Sequence, residues 1–285
     1  MADRSGITDR NRRFEDKVVF ISGLARGQGR EHAVRFAKEG ARIIGFDVCE
    51  DLPNCYYPLS TEEDLAETVK LVEAAGGSIH AEKADVRDLE QVKRVAHAGI
   101  DRFGRLDVIL ANAGTYSPNP TSMLSAEQWA ETIAVNLTGP FNTVRAGMKQ
   151  MIRQNEGGAI VITSSTAGLK GFWGCPAYNA AKHGVVGFMR SLALELAPNQ
   201  IRVNTVHPTS VGTPMILNDV FPTLVSSAPD AGFDQAAEFL RPQQPMDIPW
   251  LQPGDISDAI LWLCSDEARW VTGVTLPVDA GALLK

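Results

Sequence analysis

Lys17-Val18-Val19-Phe20-Ile21-Ser22-Gly23-Leu24-Ala25-Arg26-Gly27-Gln28-Gly29 is the stretch on which the fold turns. A strand-sized apolar run, Lys17–Ser22, passes directly into a glycine-rich turn. A helical pattern over Arg30–Lys38, closed by Gly40, follows. Glycines at such a junction let backbone N–H groups and a helix N-terminus approach a pyrophosphate with no Cβ in the way. The spacing is Gly-x3-Gly-x-Gly, not the GxGxxG of other dinucleotide folds. A tight turn with no ligand would use the same glycines. The position at the first strand-to-helix junction favours phosphate binding by Gly23, Arg26, Gly27, Gln28 and Gly29.

Outward from this turn the same alternation repeats. Ala41–Phe46 is a second apolar run that stops at Asp47. It is followed by a helix over Leu65–Ala75, a strand over Ser78–Ala84, a helix over Leu89–Phe103 and a strand over Leu106–Ala111. A long helix near Glu127–Arg153, a strand over Ala159–Ser164, a helix over Ala177–Ala197 and a strand over Ile201–Val206 complete the series. Strands alternating with helices predict a parallel sheet covered on both faces, hence one doubly wound α/β domain of Rossmann type over residues 17–285. Two stretches interrupt the rhythm. Residues 48–60 are an insertion carrying Pro53, Pro58 and two tyrosines. Pro208–Pro253 holds eight prolines and reads as a substrate loop.

Bulk properties set limits. With 285 residues, 44% hydrophobic and 21% charged, the chain has ordinary globular composition. A net charge of −7 gives no support to nucleic-acid binding. The longest apolar runs, such as Val18–Ile21 and Ala159–Ile162, are too short to span a bilayer. Residues 1–16 read as a polar tail without the apolar centre of a secretory signal, so a cytoplasmic location is expected. Cys49, Cys55, Cys175 and Cys264 form no CxxC pair and are expected as free thiols. The five histidines are scattered, and no metal site is expected.

Single residues then suggest the ligand. A carboxylate at Asp47, closing the second strand, accepts hydrogen bonds from both adenosine ribose hydroxyls and repels a 2′-phosphate. That selects NAD over NADP, although a basic Arg26 could meet a 2′-phosphate. Asp85 and Val86 follow the third strand and would stand near the adenine; Asp85 could instead cap the next helix, a task open to Asp88. Asn112-Ala113-Gly114 ends the fourth strand, where small residues let the backbone pass close to a cofactor and Asn112 ties neighbouring strands. A plain strand-end turn also favours Asn and Gly.

Tyr178 and Lys182 stand at i and i+4, on one helix face. The Lys182 ammonium is therefore expected to lower the Tyr178 pKa. Ser165 lies thirteen residues earlier, at a strand end, where its hydroxyl can reach an oxygen that Tyr178 also touches.

Taken together, Ser22–Gly29, Asp47, Asp85, Asn112–Gly114, Asn136, Ser164-Ser165, Tyr178-xxx-Lys182 and Asn204-xxx-Pro208 resemble the short-chain dehydrogenase/reductase family from Lys17 to Ala280. Ser22 stands where the family usually has Thr, and Thr209 where Gly usually follows the proline. The resemblance implies an NAD-dependent oxidoreductase that interconverts a secondary alcohol and a ketone. Tyr178 would be the acid/base, Ser165 the group orienting the substrate oxygen, and Lys182 the ribose ligand. Asn136 would hold a water linking Lys182 to solvent. Pro208, Val211 and Thr213 would fix the carboxamide, and the family likeness implies a homotetramer packed through the two long helices. The loop opened by Asp47-Val48-Cys49, with Thr61–Val69 after it, is similar to the carveol dehydrogenase-like, mycofactocin-associated subgroup. That likeness implies NAD held without exchange and electrons passed to a peptide-derived redox carrier. It counts Val48 and Cys49 among the cofactor contacts.

In such a fold Tyr116, Phe172, Trp173, Met215, Phe221 and Trp250 are expected to line an apolar pocket for a bulky alicyclic, terpenoid or sterol-like alcohol. Trp262 and Trp270 are expected in the core or at a subunit interface, and His183 and His207 in structural roles. Enoyl reductases of this superfamily resemble a Tyr-x6-Lys arrangement, unlike Tyr178-x3-Lys182. NAD-sensing proteins without turnover commonly lose the Tyr or the Lys, and both are present here.

Overall fold

In the computed structural model, which describes residues 12–226 and 232–285, seven parallel strands form one sheet in the order β3-β2-β1-β4-β5-β6-β7. The strands are β1 (Val18–Ser22), β2 (Arg42–Asp47), β3 (Ser78–Lys83), β4 (Val108–Ala111), β5 (Gly158–Thr163), β6 (Ile201–Pro208) and β7 (Thr275–Val278). Helices α1 (Gly27–Lys38), α2 (Glu62–Ala74) and α9 (Pro253–Cys264) pack together on one face. The other face carries α3 (Leu89–Phe103), α4 (Ala126–Ile133), α5 (Gly139–Gln154) and α6 (Pro176–Leu196).

Burial on both faces explains the uninterrupted apolar strands: all five residues of β1 and all four of β4 are buried. Phe20, Ile44, Val92, Val144 and Met189 belong to the core on one side of the sheet. Phe36, Ile43, Leu110, Ile256 and Ile260 belong to the core on the other. The chain reverses its winding between β1 and β4, and at the carboxyl ends of those strands an α/β sheet opens a crevice.

Four sequence expectations change. The long helix near Glu127–Arg153 is two α-helices joined by a π-turn over Ala134–Thr138, which widens the helix at Asn136. The substrate loop is not wholly irregular: it holds α7 (Phe221–Ser226) and α8 (Phe233–Leu240). Phe221, Ile216, Ala236 and Leu240 make a small third core, against which Tyr116, Met215 and Trp250 pack. Of the polar tail, residues 1–11 lie outside the described residues. From residue 12 the chain already belongs to the domain, with Phe14 buried edge-on to Phe36 (centroids 4.6 Å apart) and Arg13 paired to Glu39 at 2.6 Å. Finally, Trp173 is 90% exposed and Trp270 81% exposed, so neither lines a pocket nor joins the core of this chain. Among the described residues no helix is long and apolar enough to cross a membrane.

Candidate active site

The crevice is an open cleft of about 850 Å³ running over the ends of β1, β2 and β4. Its floor is the turn between β1 and α1. Gly23 has φ +73°, and a Cβ there would stand 2.8 Å from Ala113 Cα. A Cβ on Gly29 would fall 1.8 Å from the Gly23 carbonyl oxygen, so this glycine serves the close packing of helix on turn and not the cleft lining itself. Arg26, the residue before α1, makes no side-chain cap, which leaves the first N–H groups of the helix unpaired by a cap. Gln28 lines the cleft, and its buried Oε1 has no hydrogen-bond partner. An uncapped helix start beside glycines with no room for a Cβ fits a dinucleotide pyrophosphate.

Asp47, Val48, Asp85, Val86, Asn112, Ala113, Gly114 and Thr213 line the same cleft, as the sequence predicts. The Asp47 carboxylate is held in place by Ala25 N (2.8 Å), Val48 N (2.9 Å) and the Ser60 hydroxyl (2.6 Å), all donating to it. Asp85 pairs with Arg87 at 2.5 Å, and Asp88 caps α3 by accepting from Glu90 N and Gln91 N. Asn112 does tie strands: its Nδ2 donates to Ser22 O and Gly23 O, while its Oδ1 accepts from the Thr163 hydroxyl. The Ser22 hydroxyl accepts from Asn112 N and Ala113 N, so the exchange of Thr for Ser keeps that function.

Cys49 departs from expectation. It turns out of the cleft into the core on the α1 side, with φ +49° and 8% exposure. Pro208 and Val211 are buried beside the cleft and do not line it; Val211 bridges Leu251. The insertion also runs farther than expected. Leu52, Tyr57, Leu59 and Ser60 line the cleft, and the Arg26 guanidinium donates to Pro58 O at 2.5 Å. Asn54 meanwhile binds Glu131 of α4 and accepts from the Ser117 hydroxyl at 2.9 Å. One segment therefore spans from the cradle to the loop after β4.

Past Gly114 the cleft meets the catalytic candidates. A Cβ at Gly114 would lie 3.0 Å from Asn136 Oδ1 and 3.5 Å from Lys182 Nζ, which locates those two groups side by side. Asn136 is fully buried on the π-turn, donating to Thr132 O and accepting from Thr115 N. Lys182 Nζ donates to Thr163 O at 3.0 Å and stands 5.4 Å from the centre of the Tyr178 ring. Ser165 lies just past β5, close enough to Tyr178 to contribute a lowering of its pKa. Its Oγ also accepts from Ala167 N at 3.1 Å.

The expected electrostatics need correction. Burial pushes the Tyr178 phenol up to about 12, against a lowering contribution from Ser165. Burial also brings the Lys182 ammonium down to about 8, since one carbonyl replaces its water. Burial thus shifts each group toward its neutral form, and Lys182 is not among the causes that move Tyr178. Two supports escaped the sequence reading. Ser164 Oγ donates to Lys182 O at 2.9 Å. His207 sits 2.7 Å from Ser165 O through Nδ1 and 2.8 Å from the Thr205 hydroxyl through Nε2. His207, expected in a structural role, thus holds the Ser165 main chain from the end of β6. Among the described residues no group of three His, Cys, Asp or Glu side chains is set to hold a metal.

Comparison with known proteins fits this geometry. The sequence profile described as short chain dehydrogenase matches residues 17–220. An uncharacterized oxidoreductase of Mycobacterium tuberculosis is 50% identical, over 96% of this chain and 99% of its own length. The (-)-trans-carveol dehydrogenase of Rhodococcus erythropolis is 44% identical, with the same coverage of both chains. Among solved structures, carveol dehydrogenase from Mycobacterium avium in complex with NAD superposes with a TM-score of 0.94, at 47% identity over 96% of this chain and 99% of that one.

Proposed function

The chain belongs to the short-chain dehydrogenase family, and from that premise we propose that it interconverts a secondary alcohol and a ketone on a bulky apolar ring, with NAD as the cofactor. The observation that supports this reading is that Asn136 Oδ1 and Lys182 Nζ lie against Gly114 of the cleft, with Tyr178 beside Lys182, while the glycine turn after β1 lines the same cleft. Bound NAD supplies the acceptor for the hydride that leaves the carbinol carbon. Tyr178 would take the proton from the alcohol oxygen as the C=O bond forms, in a phenolate form that the positive charge of the oxidised nicotinamide would favour against the burial that raises it. Ser165 donates to that oxygen and orients it. Lys182, beside Asn136, is placed to relay the proton onward and to bind ribose. Asp47 at the ribose end favours NAD over NADP. Tyr116, Met215, Phe221 and Trp250 supply the apolar wall for a ring substrate.

The insertion supports a second feature, that NAD is held under residues 49–60 and exchanges slowly, so that electrons leave through a peptide-derived redox carrier or an artificial acceptor. The supporting observations are the Arg26 to Pro58 bond and the cleft-lining Leu52, Tyr57 and Leu59. Association as a homotetramer would cover Trp129, Phe141 and Leu194, which are exposed on α4, α5 and α6. Four free cysteines are consistent with work in a reducing cytoplasm.

The test is the absorbance spectrum of the purified protein before and after a panel of cyclic secondary alcohols. Reduced nicotinamide should appear with at least one of them, from bound or added NAD. No reduction with any alcohol, together with no oxidation of NADH by the matching ketones, defeats the proposal. Nucleotide released on denaturation should approach one per subunit if the cofactor is retained.

A further inference from the structure

Tyr56 has no place in the chemistry above, yet its hydroxyl oxygen is buried and has no hydrogen-bond partner. Leaving a buried hydroxyl unpaired costs about 1–3 kcal/mol, and a phenylalanine would fill the same space without that cost. Such a group calls for a partner that is absent from the protein itself.

Its surroundings say where that partner comes from. Asn54, two residues earlier, is fastened to Glu131 and Ser117, which lays the insertion across the loop following β4. Tyr56 stands edge-on to Tyr57, with ring centres 5.7 Å apart. Its hydroxyl is buried within electrostatic reach of Tyr116 and Cys175. Those two residues wall the catalytic phenol: the Tyr116 ring is edge-on to Tyr178 at 5.1 Å, and Cys175 is the residue before α6, three positions ahead of Tyr178. The turn before Cys175 is loosely filled on its outer side: a Cβ added to Gly171 or Gly174 would meet nothing within 4 Å, and Trp173 between them is 90% exposed.

We propose that Tyr56 is a specificity residue, whose hydroxyl hydrogen-bonds a second oxygen of the substrate, on the far side of the ring from the carbon that Tyr178 serves. The substrate class is then a cyclic alcohol or ketone bearing a further hydroxyl or carbonyl group, and not a plain hydrocarbon ring with one oxygen. This rests on the alcohol–ketone reading of the site. It gives the insertion a second task, in which the segment that covers the cofactor also reads the substrate.

The experiment measures dissociation constants of cyclohexanol, cyclohexane-1,3-diol and cyclohexane-1,4-diol for the NAD-saturated protein, in the wild type and in Tyr56→Phe. The wild type should bind at least one diol about tenfold or more tightly than cyclohexanol, and the substitution should erase that preference. Thermal unfolding of the cofactor-free protein should be unchanged or shifted upward in Tyr56→Phe, since an unpaired polar group has been removed. A wild type with no diol preference, a preference that survives the substitution, or a Tm lowered by several degrees each overturns the assignment. Turnover of the same alcohols reports separately on the dehydrogenase reading: a diol preference lost in Tyr56→Phe, with no oxidation of any alcohol, would defeat that reading alone.

Discussion

The two ends of the cleft are built by opposite means. At the cradle the working surface is main chain, made available by missing atoms: Gly23 and Gly29 have no space for a Cβ, and the start of α1 has no side-chain cap. At the Tyr178 end the working surface is side chains, each held from behind by backbone: Lys182 on Thr163 O, Asn136 between Thr132 O and Thr115 N, Ser165 on Ala167 N. The first end binds through shape and partial charge. The second has desolvated groups whose protonation the proposed reaction uses, with Tyr178 raised and Lys182 lowered by burial. Deleting one oxygen should thus stop chemistry at one end while leaving binding at the other intact.

Tyr178→Phe is the sharpest way to break that contrast. The ring keeps its edge contact with Tyr116 while the proton acceptor is gone. Turnover of a cyclic secondary alcohol should fall about 10²- to 10⁴-fold in steady-state assays. Nucleotide bound per subunit should be unchanged. Loss of nucleotide together with turnover would mean that the two ends are not separable.

Acid should weaken the fold near both ends, because a buried histidine lies near each, His32 bonded to Ser257 of α9 and His207 behind Ser165. His32 on α1 is brought down to about 3 by burial, and His207 behind Ser165 to about 4. Both values lie below the unfolded value near 6.5, so the unfolded chain takes up protons first as pH falls. Their stabilising contribution is complete above pH 6.5 and is lost progressively as pH falls toward the folded values. Between pH 7 and 5 each should cost about 1–2 kcal/mol of stability. Denaturant midpoints measured across that range check the sum, and His207→Gln should remove only its own share. A stability that is flat from pH 7 to 5 would contradict both assignments.

Asp47→Ser probes the cradle alone. The carboxylate, proposed to exclude a 2′-phosphate, receives Ala25 N, Val48 N and the Ser60 hydroxyl. The ratio of NADP to NAD dissociation constants should fall by about tenfold, with NAD itself weakened. If the wild type binds both nucleotides equally, Asp47 is not the ribose reader.

What could be read from the sequence divides along the same line. The cradle and the Tyr178–Lys182 pair are local patterns whose spacing on a strand end or one helix face fixes their geometry, and they stand where expected. The proposed substrate wall draws on Tyr116, Met215, Phe221 and Trp250, which come from the loop after β4 and the segment after β6 and whose contacts no local period encodes. Cys49 was misplaced because a φ of +49° reverses the chain direction just after Val48, and the sequence carries no glycine there to announce it. The π-turn at Asn136 was hidden for a similar reason, since one added residue per turn leaves the apolar pattern of a helix nearly unchanged. α9 and β7 went unassigned. α9 follows a proline-rich stretch, and β7 is a four-residue edge strand containing Pro277, which a central strand would not tolerate.

The smallest effect belongs to Arg26, and it separates two readings of one residue. As a phosphate reader it would attract NADP; as a latch it ties the cradle to the insertion through Pro58 O. The bond is exposed, so its loss should be worth about 0.5–1.5 kcal/mol. That converts to about a 3- to 10-fold faster release of NAD, with the association rate little changed, because contacts of this kind act mainly on dissociation. Stopped-flow displacement of bound NADH from Arg26→Ala measures it directly. A latch makes NADH leave faster and leaves the preference between NAD and NADP where it was. A phosphate reader gives the reverse: NADP binding drops while NADH release keeps its rate. Because Asn54 and Asp51 hold the insertion independently, through Glu131 and Leu59 N, the loop itself should stay folded in the variant. A faster release then comes from one end of the insertion opening, with its Tyr56 end still closed on the substrate side.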